Sequence, residues 1–111
     1  MSRASVAHGE QLEIRLLESS AQFLEFKDAW QALEQTSDAP CFFESYAWCG
    51  HAAEVLSRTL PQTYAPLVAI AKRDGLPVAI WPLSRQKRSG IWQLRPLDDP
   101  FGQFAGMLYV D

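Results

Sequence analysis

The spacing of apolar residues changes along this chain, and that change constrains the fold more than any other feature. Up to about Pro61, apolar residues mostly recur at intervals of three and four, as on one face of a helix. From Ala65 onward they fall in short β-rich runs separated by turn residues. The sequence therefore predicts a mixed α+β fold (α/β in the broad sense), with helices first and most of the sheet afterwards.

One strand and one helix are predicted before the first break. Residues 11–16 alternate polar and apolar side chains, which is typical of a strand with one buried face. Ser19 or Ser20 can cap a helix that runs to about Gln35, and Gln22 is placed as in a capping box. The apolar positions of this helix share one face and are Phe23, Phe26, Trp30 and Leu33.

A second helix is predicted from Ser45, another capping residue, to about Pro61, which closes it. Its apolar residues keep helical spacing and are Trp48, Ala52, Val55 and Leu56. The connection before it contains Cys41, Phe42 and Phe43, which is too apolar for a free loop. We expect this connection to pack inward.

The second half of the chain predicts three antiparallel strands, at residues 67–72, 78–83 and 91–97. Asp74-Gly75 is the strongest short hairpin signal available, and residues 87–90 make a second turn. Pro82 implies a bulge or an edge position, because proline cannot donate to the strand ladder. A loop at residues 98–102 and a short apolar run at residues 107–110 follow.

These elements predict a single domain at residues 11–111, preceded by a loose segment at residues 1–10. The order is strand, helix, helix, then a three- to four-stranded antiparallel meander, and the two helices should cover one face of the sheet. Trp81 faces opposite to Ile80 and Pro82, so either it is exposed or a second face is covered. Trp92 raises the same question. Burial of these tryptophans against the remainder of the polypeptide, or in a homodimer, is a reasonable hypothesis.

Composition excludes several classes of function. The formal net charge is -3 and the isoelectric point is about 5.3, so no basic stripe for nucleic acid is expected. The nearest basic cluster, Arg85, Lys87 and Arg88, falls where a solvated turn is predicted. The sequence contains no apolar run of the roughly 18 residues that a membrane span needs, so membrane insertion is not expected. Residues 1–11 do not resemble a secretory signal. Two cysteines are too few for a disulfide framework, so the expected location is the cytoplasm.

Few residues in the sequence suggest chemistry. Cys49 and His51 are two positions apart on a helix and point away from each other, so they cannot pair there. No spacing supports a metal site. The aspartate pair Asp98-Asp99, followed by Phe101, is the candidate for contacting an acceptor amine or acting as a base. The alternative, which we favour, is a turn whose aspartates bond their own backbone before Pro100.

Several segments, in this order, resemble the acetyltransferase family named for the cellulose-biosynthesis protein CelD, within the GNAT superfamily and related to FemAB-type transferases. They are Trp30-Gln31-Ala32-Leu33, Phe42 to Trp48, Leu67 to Ile70 before Asp74-Gly75, Ile80-Trp81-Pro82-Leu83, Leu94-Arg95-Pro96-Leu97 after Ser89-Gly90, and the Asp98 to Gly106 loop. The resemblance runs from about Leu12 to Asp111. It implies the N-terminal half of a GNAT fold.

This resemblance also implies an activity, the transfer of an acetyl or acyl group from acyl-CoA to an amine or hydroxyl. In that family a Gly-rich loop at a helix N-terminus holds the donor pyrophosphate, and no such pattern occurs here. Acetyl-CoA is therefore implied as donor, but we expect no binding by this chain alone. We expect an incomplete domain that supplies scaffold and part of the acceptor groove, inactive alone and with no catalytic residue assigned. The alternative is a non-catalytic binding or dimerisation module.

Overall fold

The computed structural model describes residues 12–37, 42–99 and 107–109. Its helices are α1 (Ser20–Glu25), α2 (Lys27–Thr36) and α3 (Tyr46–Thr59), with a short 3-10 helix at Phe42–Glu44. Its strands are β1 (Leu12–Leu17), β2 (Tyr64–Arg73), β3 (Leu76–Arg88), β4 (Ile91–Pro96) and β5 (Leu108–Tyr109). The predicted α+β class is confirmed.

The strands form one antiparallel sheet in the order β1-β2-β3-β4, and β5 pairs with β3. Two tight turns produce this meander. Asp74 and Gly75 have φ of 53° and 83°, and Ser89 and Gly90 have φ of 54° and 77°. Positive φ at both central residues gives a turn whose twist matches that of the flanking strands, so both hairpins are of the kind that the Asp-Gly signal predicts.

Strand β3 is longer than predicted and runs through Pro82 to Arg88. Pro82 is tolerated because β4 pairs with β3 from Leu83 onward and β5 pairs with it at Ala79 and Ile80. On this edge of β3, Pro82 therefore lies between the stretch that pairs with β4 and the stretch that pairs with β5, although β3 itself is an interior strand. The register shift falls elsewhere, between Ala71 and Lys72 of β2.

The basic residues near the end of β3 are not in a turn, so that part of the prediction was wrong. Arg85, Lys87 and Arg88 all belong to the strand, and only Ser89-Gly90 forms the turn. The reason is that a two-residue turn leaves every flanking residue in the ladder, where Lys87 pairs with Trp92.

The helices cover one face of the sheet, as predicted. Side chains on that face are fully buried on the three strands nearest the helices: Leu17, Val68, Ile70 and Ile80. They pack against a helical layer whose buried members include Phe23, Phe26, Trp30, Leu33, Cys49, Ala52 and Ala53. This cluster is the core of the domain.

Both predicted helix caps are present. Ser19 Oγ accepts the amide of Gln22 at 3.2 Å, and Ser45 Oγ accepts the amide of Trp48 at 3.1 Å. Gln22 departs from the capping-box pattern, since its Oε1 accepts the amide of Glu18 at 2.6 Å. These bonds satisfy amides that a helix start leaves unpaired.

The single helix predicted to Gln35 is two helices, α1 and α2, that meet at Phe26. Phe26 has φ -98° and ψ 6°, and its amide bonds to the carbonyls of both Gln22 and Phe23. Its ring lies 5.1 Å from the Arg15 guanidinium and 5.1 Å from the Lys72 ammonium, which come from β1 and β2. Tertiary packing of this ring against two cations accompanies the break, which helical periodicity alone cannot predict.

The connection before α3 packs inward only in part. The indole N–H of Trp30 donates to the carbonyl of Glu44 at 3.0 Å in a buried position, whereas the Phe42 side chain is 62% exposed. The expectation of inward packing was therefore wrong for Phe42. Its ring instead lies 5.6 Å from that of Trp48 on the surface. Cys41 and the Phe43 side chain lie outside what the structure describes.

Candidate functional site

Two of the predicted site residues, Asp98 and Asp99, lie where the chain leaves the sheet. Pro96 of β4 pairs with Leu83, and the amide of Leu97 donates to the carbonyl of Pro82 at 3.1 Å. Further along the same edge of β3, Leu108 pairs with Ile80. Leu97 and Leu108 thus lie on one strand line along β3. We call the stretch of sequence between them, residues 98–107, the excursion, and the structure describes residues 98, 99 and 107 of it.

Asp98, the first residue of the excursion, is buried, with 4% of its surface exposed. Its Oδ2 accepts the indole N–H of Trp48 at 2.6 Å, which ties the excursion to the first turn of α3. A short bond from a donor to a carboxylate, in a site largely removed from water, is among the stronger hydrogen bonds in proteins. Asp98 therefore fastens α3 to the edge of the sheet.

Asp99 is held by two arginines. Its Oδ2 accepts from Arg95 Nε at 2.7 Å and from Arg88 Nη2 at 2.8 Å. Partial burial raises the pKa of Asp99, but the hydrogen bond and charge of Arg95, with those of Arg88, outweigh it, and the pKa is lowered overall. Asp99 stays ionised at neutral pH, and the guanidinium groups of Arg88 and Arg95 balance its negative charge.

Neutral side chains complete the anchor of the excursion. Gln86 Nε2 donates to the Asp99 carbonyl at 3.0 Å and to Ser84 Oγ at 3.0 Å, and Ser84 Oγ donates to the Pro96 carbonyl at 3.0 Å. Both Ser84 and Gln86 are buried. Ser84 and Gln86, which are buried on the helix-facing side of β3, thus hydrogen-bond the backbone on either side of Asp98.

Tyr64 fixes the residue just before the excursion. Its hydroxyl donates to the Leu97 carbonyl at 2.8 Å. Burial, followed by the nearby Cys49 and Asp98, raises the pKa of this phenol. Tyr64 therefore stays protonated across the physiological range and acts as a fixed donor.

Asp98 and Asp99 lie in a turn, in which the amide of Asp99 donates to the carbonyl of Pro96 at 3.2 Å. In the described contacts, their carboxylates bond to Trp48, Arg88 and Arg95. In these contacts the aspartates position the excursion, and neither carboxylate is directed at an open cavity by any described contact. Phe101, the third predicted site residue, lies outside the described residues, as do Gly102 and Gly106.

A groove of about 300 Å³ lies between α1 and α3. Ser20 and Phe23 line it from α1, and Tyr46, His51 and Glu54 line it from α3. His51 and Glu54 are exposed, whereas Cys49 is buried, so the structure agrees that Cys49 and His51 do not pair. Sequence reasoning missed this groove, because it arises where two helices meet and no motif marks it.

The face of the sheet away from the helices is uncovered in the described part of the chain. We call it the open face. Six large apolar side chains on it are between 45% and 66% exposed: Leu12, Ile14, Leu16, Trp81, Trp92 and Leu94. The register also places Leu67 and Leu83 on this face, where Leu83 is only 9% exposed. Of the two alternatives left open for Trp81 and Trp92, the described part of the chain shows exposure.

Neither a protein-family model, nor a curated protein, nor a solved structure matches this chain. Within the described residues, no group of three or more His, Cys, Asp or Glu side chains could hold a metal ion. In the same part of the chain, no helix is both long and apolar enough to cross a membrane.

Proposed function

We propose that this chain is the N-terminal part of a GNAT-type N-acyltransferase, which transfers an acetyl or acyl group from acyl-CoA to an amine or hydroxyl. The observation that carries the proposal is the order of elements, with strand, helices and an antiparallel meander in sequence and the helices on one face. This arrangement agrees with the resemblance of the sequence segments. The chain supplies scaffold and part of the acceptor groove.

The excursion has a defined part in this proposal. Asp98 and Asp99 hold its first residues through Trp48, Arg88 and Arg95. They act as positioning residues, and Phe101 remains the proposed contact for the acceptor. Catalysis in such an enzyme comes mainly from holding acceptor and thioester together, with N–H groups polarising the thioester carbonyl.

The test is acetyl transfer, measured as release of free CoA in the presence of amine and hydroxyl acceptors. The protein expressed from its complete reading frame and this 111-residue chain are assayed side by side. We expect transfer by the former, and neither transfer nor a shift of the thermal midpoint in acetyl-CoA by the latter. The proposal fails if the complete product neither binds acetyl-CoA nor releases CoA.

A shift of the thermal midpoint for the 111-residue chain alone would have a narrower meaning. A ligand that binds the folded state raises the midpoint by mass action. Such a shift would contradict the expectation that the donor site lies outside this chain. It would leave the acyltransferase class itself intact.

A second candidate function, a binding or dimerisation module without catalysis, is favoured by the open face. Its six large side chains leave on the order of 600 Å² of apolar surface in water, which is at the upper end of the largest apolar patch on a typical monomeric protein. Patches of this size usually mark an interface. The test is sedimentation velocity of the chain at increasing concentration, where a rise in mass indicates self-association.

A further inference from the structure

Strand β1 lies at one edge of the sheet, and one of its sides is unpaired in the described part of the chain. It pairs with β2 along its whole length, and no described strand lies on its other side. All residues from Leu12 to Leu16 are exposed, so the described helices leave this edge open to solvent. The outward N–H and C=O groups of β1 are therefore available to another strand.

The edge of β1 lacks most of the features by which proteins prevent strands from joining edge to edge. It contains neither proline nor lysine, and its pairing with β2 runs without a register shift. The opposite edge of the sheet differs, because β4 ends at Pro96, which has no N–H. The charged residues of β1 are Glu13 and Arg15, so the register decides whether they oppose pairing or favour it.

Two copies of β1 are complementary to each other in one register. About a two-fold axis perpendicular to the sheet, antiparallel strands place residues of the same face opposite one another. Strands centred on Glu13 or on Arg15 set that charge against itself, which is destabilising. Strands centred on Ile14 set Glu13 of each copy opposite Arg15 of the other. Among the registers centred near the middle of β1, this one pairs opposite charges.

Charge on the neighbouring strand supports this register. Lys72 of β2 pairs with Glu13, so the row across the joint alternates in sign from Lys72 to Glu13 to Arg15 of the second copy. Arg15 already lies 3.7 Å from Glu25, but both side chains are exposed and a guanidinium has several N–H donors. Arg15 can therefore hold a second carboxylate without leaving the first.

The apolar side of β1 is self-complementary in the same register. Ile14 meets Ile14 of the second copy at the axis, and Leu12 meets Leu16. These side chains are 47% to 66% exposed in the single chain, and apolar pairs directly across two strands stabilise a sheet. The open faces of the two copies then lie on the same side of one continuous sheet.

We propose that two copies of this chain associate through β1, antiparallel and centred on Ile14, so that their sheets join into one. This inference rests on the second proposed function, since it names the surface and the register through which such a module self-associates. The joined edge is a small contact, so the dimer is weak and reversible and the chain is monomeric when dilute.

The charge pairs are tested by sedimentation velocity of the 111-residue chain at increasing concentration, where the wild type should form a dimer. Glu13→Arg and Arg15→Glu each set like charges opposite one another, so each variant alone should self-associate about tenfold more weakly. A mixture of the two variants restores both opposite-charge pairs and should recover the dimer. Thermal unfolding checks that each variant is folded. Leu94→Gln, an exposed change on the open face of β4, is the control and should leave the dimer unchanged.

Disulfide cross-linking tests the register without any change of charge. Ile14→Cys places a thiol directly opposite its counterpart, where antiparallel strands bring Cα atoms to about 4.5–5.5 Å, within reach of a disulfide. Leu12→Cys is the matched control, because Leu12 is equally exposed but lies about 14 Å from Leu12 of the second copy in this register. Mild oxidation should give a covalent, reducible dimer of Ile14→Cys and little of Leu12→Cys. The wild type gives the background from its own two cysteines.

Other outcomes would overturn the proposal. A wild type that stays monomeric at every concentration contradicts both this inference and the second proposed function. A dimer that Leu94→Gln dissociates and the charge variants do not would contradict association through β1 but leave the second function intact. Assembly beyond a dimer, or equal cross-linking of Ile14→Cys and Leu12→Cys, contradicts the register. None of these readouts involves acetyl-CoA, so their failure is distinct from failure of the acyltransferase proposal.

Discussion

The indole N–H of Trp48 and the carboxylate of Asp98 come from positions 50 residues apart and meet at 2.6 Å. The bond joins the first turn of α3 to the point where the chain leaves β4. Asp99, the next residue, takes two arginine donors. At the scale of single residues, the neighbouring carboxylates thus have different tasks, one fastening a helix and the other balancing charge.

Replacing Asp98 by alanine should leave the partly buried indole N–H of Trp48 without this acceptor. We expect a loss of about 1–3 kcal/mol in the free energy of unfolding, because an unpaired polar group in that setting loses its water without compensation. Asp98→Asn keeps an acceptor oxygen and should cost less. Urea denaturation measures both, and equal stability of Asp98→Ala and the wild type would contradict the structural role.

Asp99 should make stability depend on pH in the acid range. Its folded-state pKa is lowered from 3.8, so its contribution is complete above that value and is lost as the pH falls through the folded-state pKa. Urea unfolding from about pH 6 to about pH 2 should therefore show a smaller acid loss for Asp99→Asn than for the wild type. Glu13→Gln, an exposed change on β1, is the control and should follow the wild type.

At the scale of elements, α3 begins where it does because of Ser45. Its Oγ accepts the Trp48 amide at 3.1 Å and donates to the Phe42 carbonyl at 2.7 Å. The residue therefore joins the 3-10 helix to α3. It also sets the orientation of the first turn, from which Trp48 reaches Asp98.

Ser45→Ala should destabilise the domain by about 1 kcal/mol, the usual cost of losing an N-cap hydroxyl. Ser57→Ala is the matched control, since it lies within α3 and alanine is the better helix former there. Thermal and urea unfolding of both variants give the comparison. A loss of the same size in Ser57→Ala would show that the cap is not the cause.

The elements that sequence predicted well are those fixed by neighbours in the chain. Ser19 and Ser45 cap helices through bonds three residues long, and Asp74-Gly75 forms its turn with both φ angles positive. The break at Phe26 could not be predicted, because the cations beside it come from β1 and β2. The sequence pointed to Asp98 and Asp99 as site candidates, but it could not predict their hydrogen-bond partners, because Trp48 and Arg88 come from distant positions in the chain.

For the whole molecule, the main property is that only one face of the sheet is packed among the described residues. Val68, Ile70 and Ile80 are fully buried beneath the helices, while Trp81 and Leu94 are largely exposed on the other side. The stability of the domain in isolation should therefore come from the helix-facing side. Substitutions on the helix-facing side should therefore lower the free energy of unfolding much more than substitutions on the open face.

Ala69→Gln and Ala53→Gln form a matched pair for this contrast. Ala69 is on the open face and its replacement should change the free energy of unfolding by no more than about 0.5 kcal/mol. Ala53 is 3% exposed between α3 and the sheet, so the larger amide there should cost about 3 kcal/mol through overpacking and a buried polar group. Urea denaturation measures the free energy of unfolding of both variants, and similar losses in the two would contradict one-sided packing.

The excursion gives this sheet an insertion point. Leu97 and Leu108 continue one strand line on the edge of β3, so the sheet needs only that the chain leave and return there. The length of the intervening segment enters the cost of closure only weakly, through its logarithm. Descendants of this sequence can therefore lengthen, shorten or exchange that segment while the ladder keeps its register, provided that Asp98 and Asp99 keep their partners.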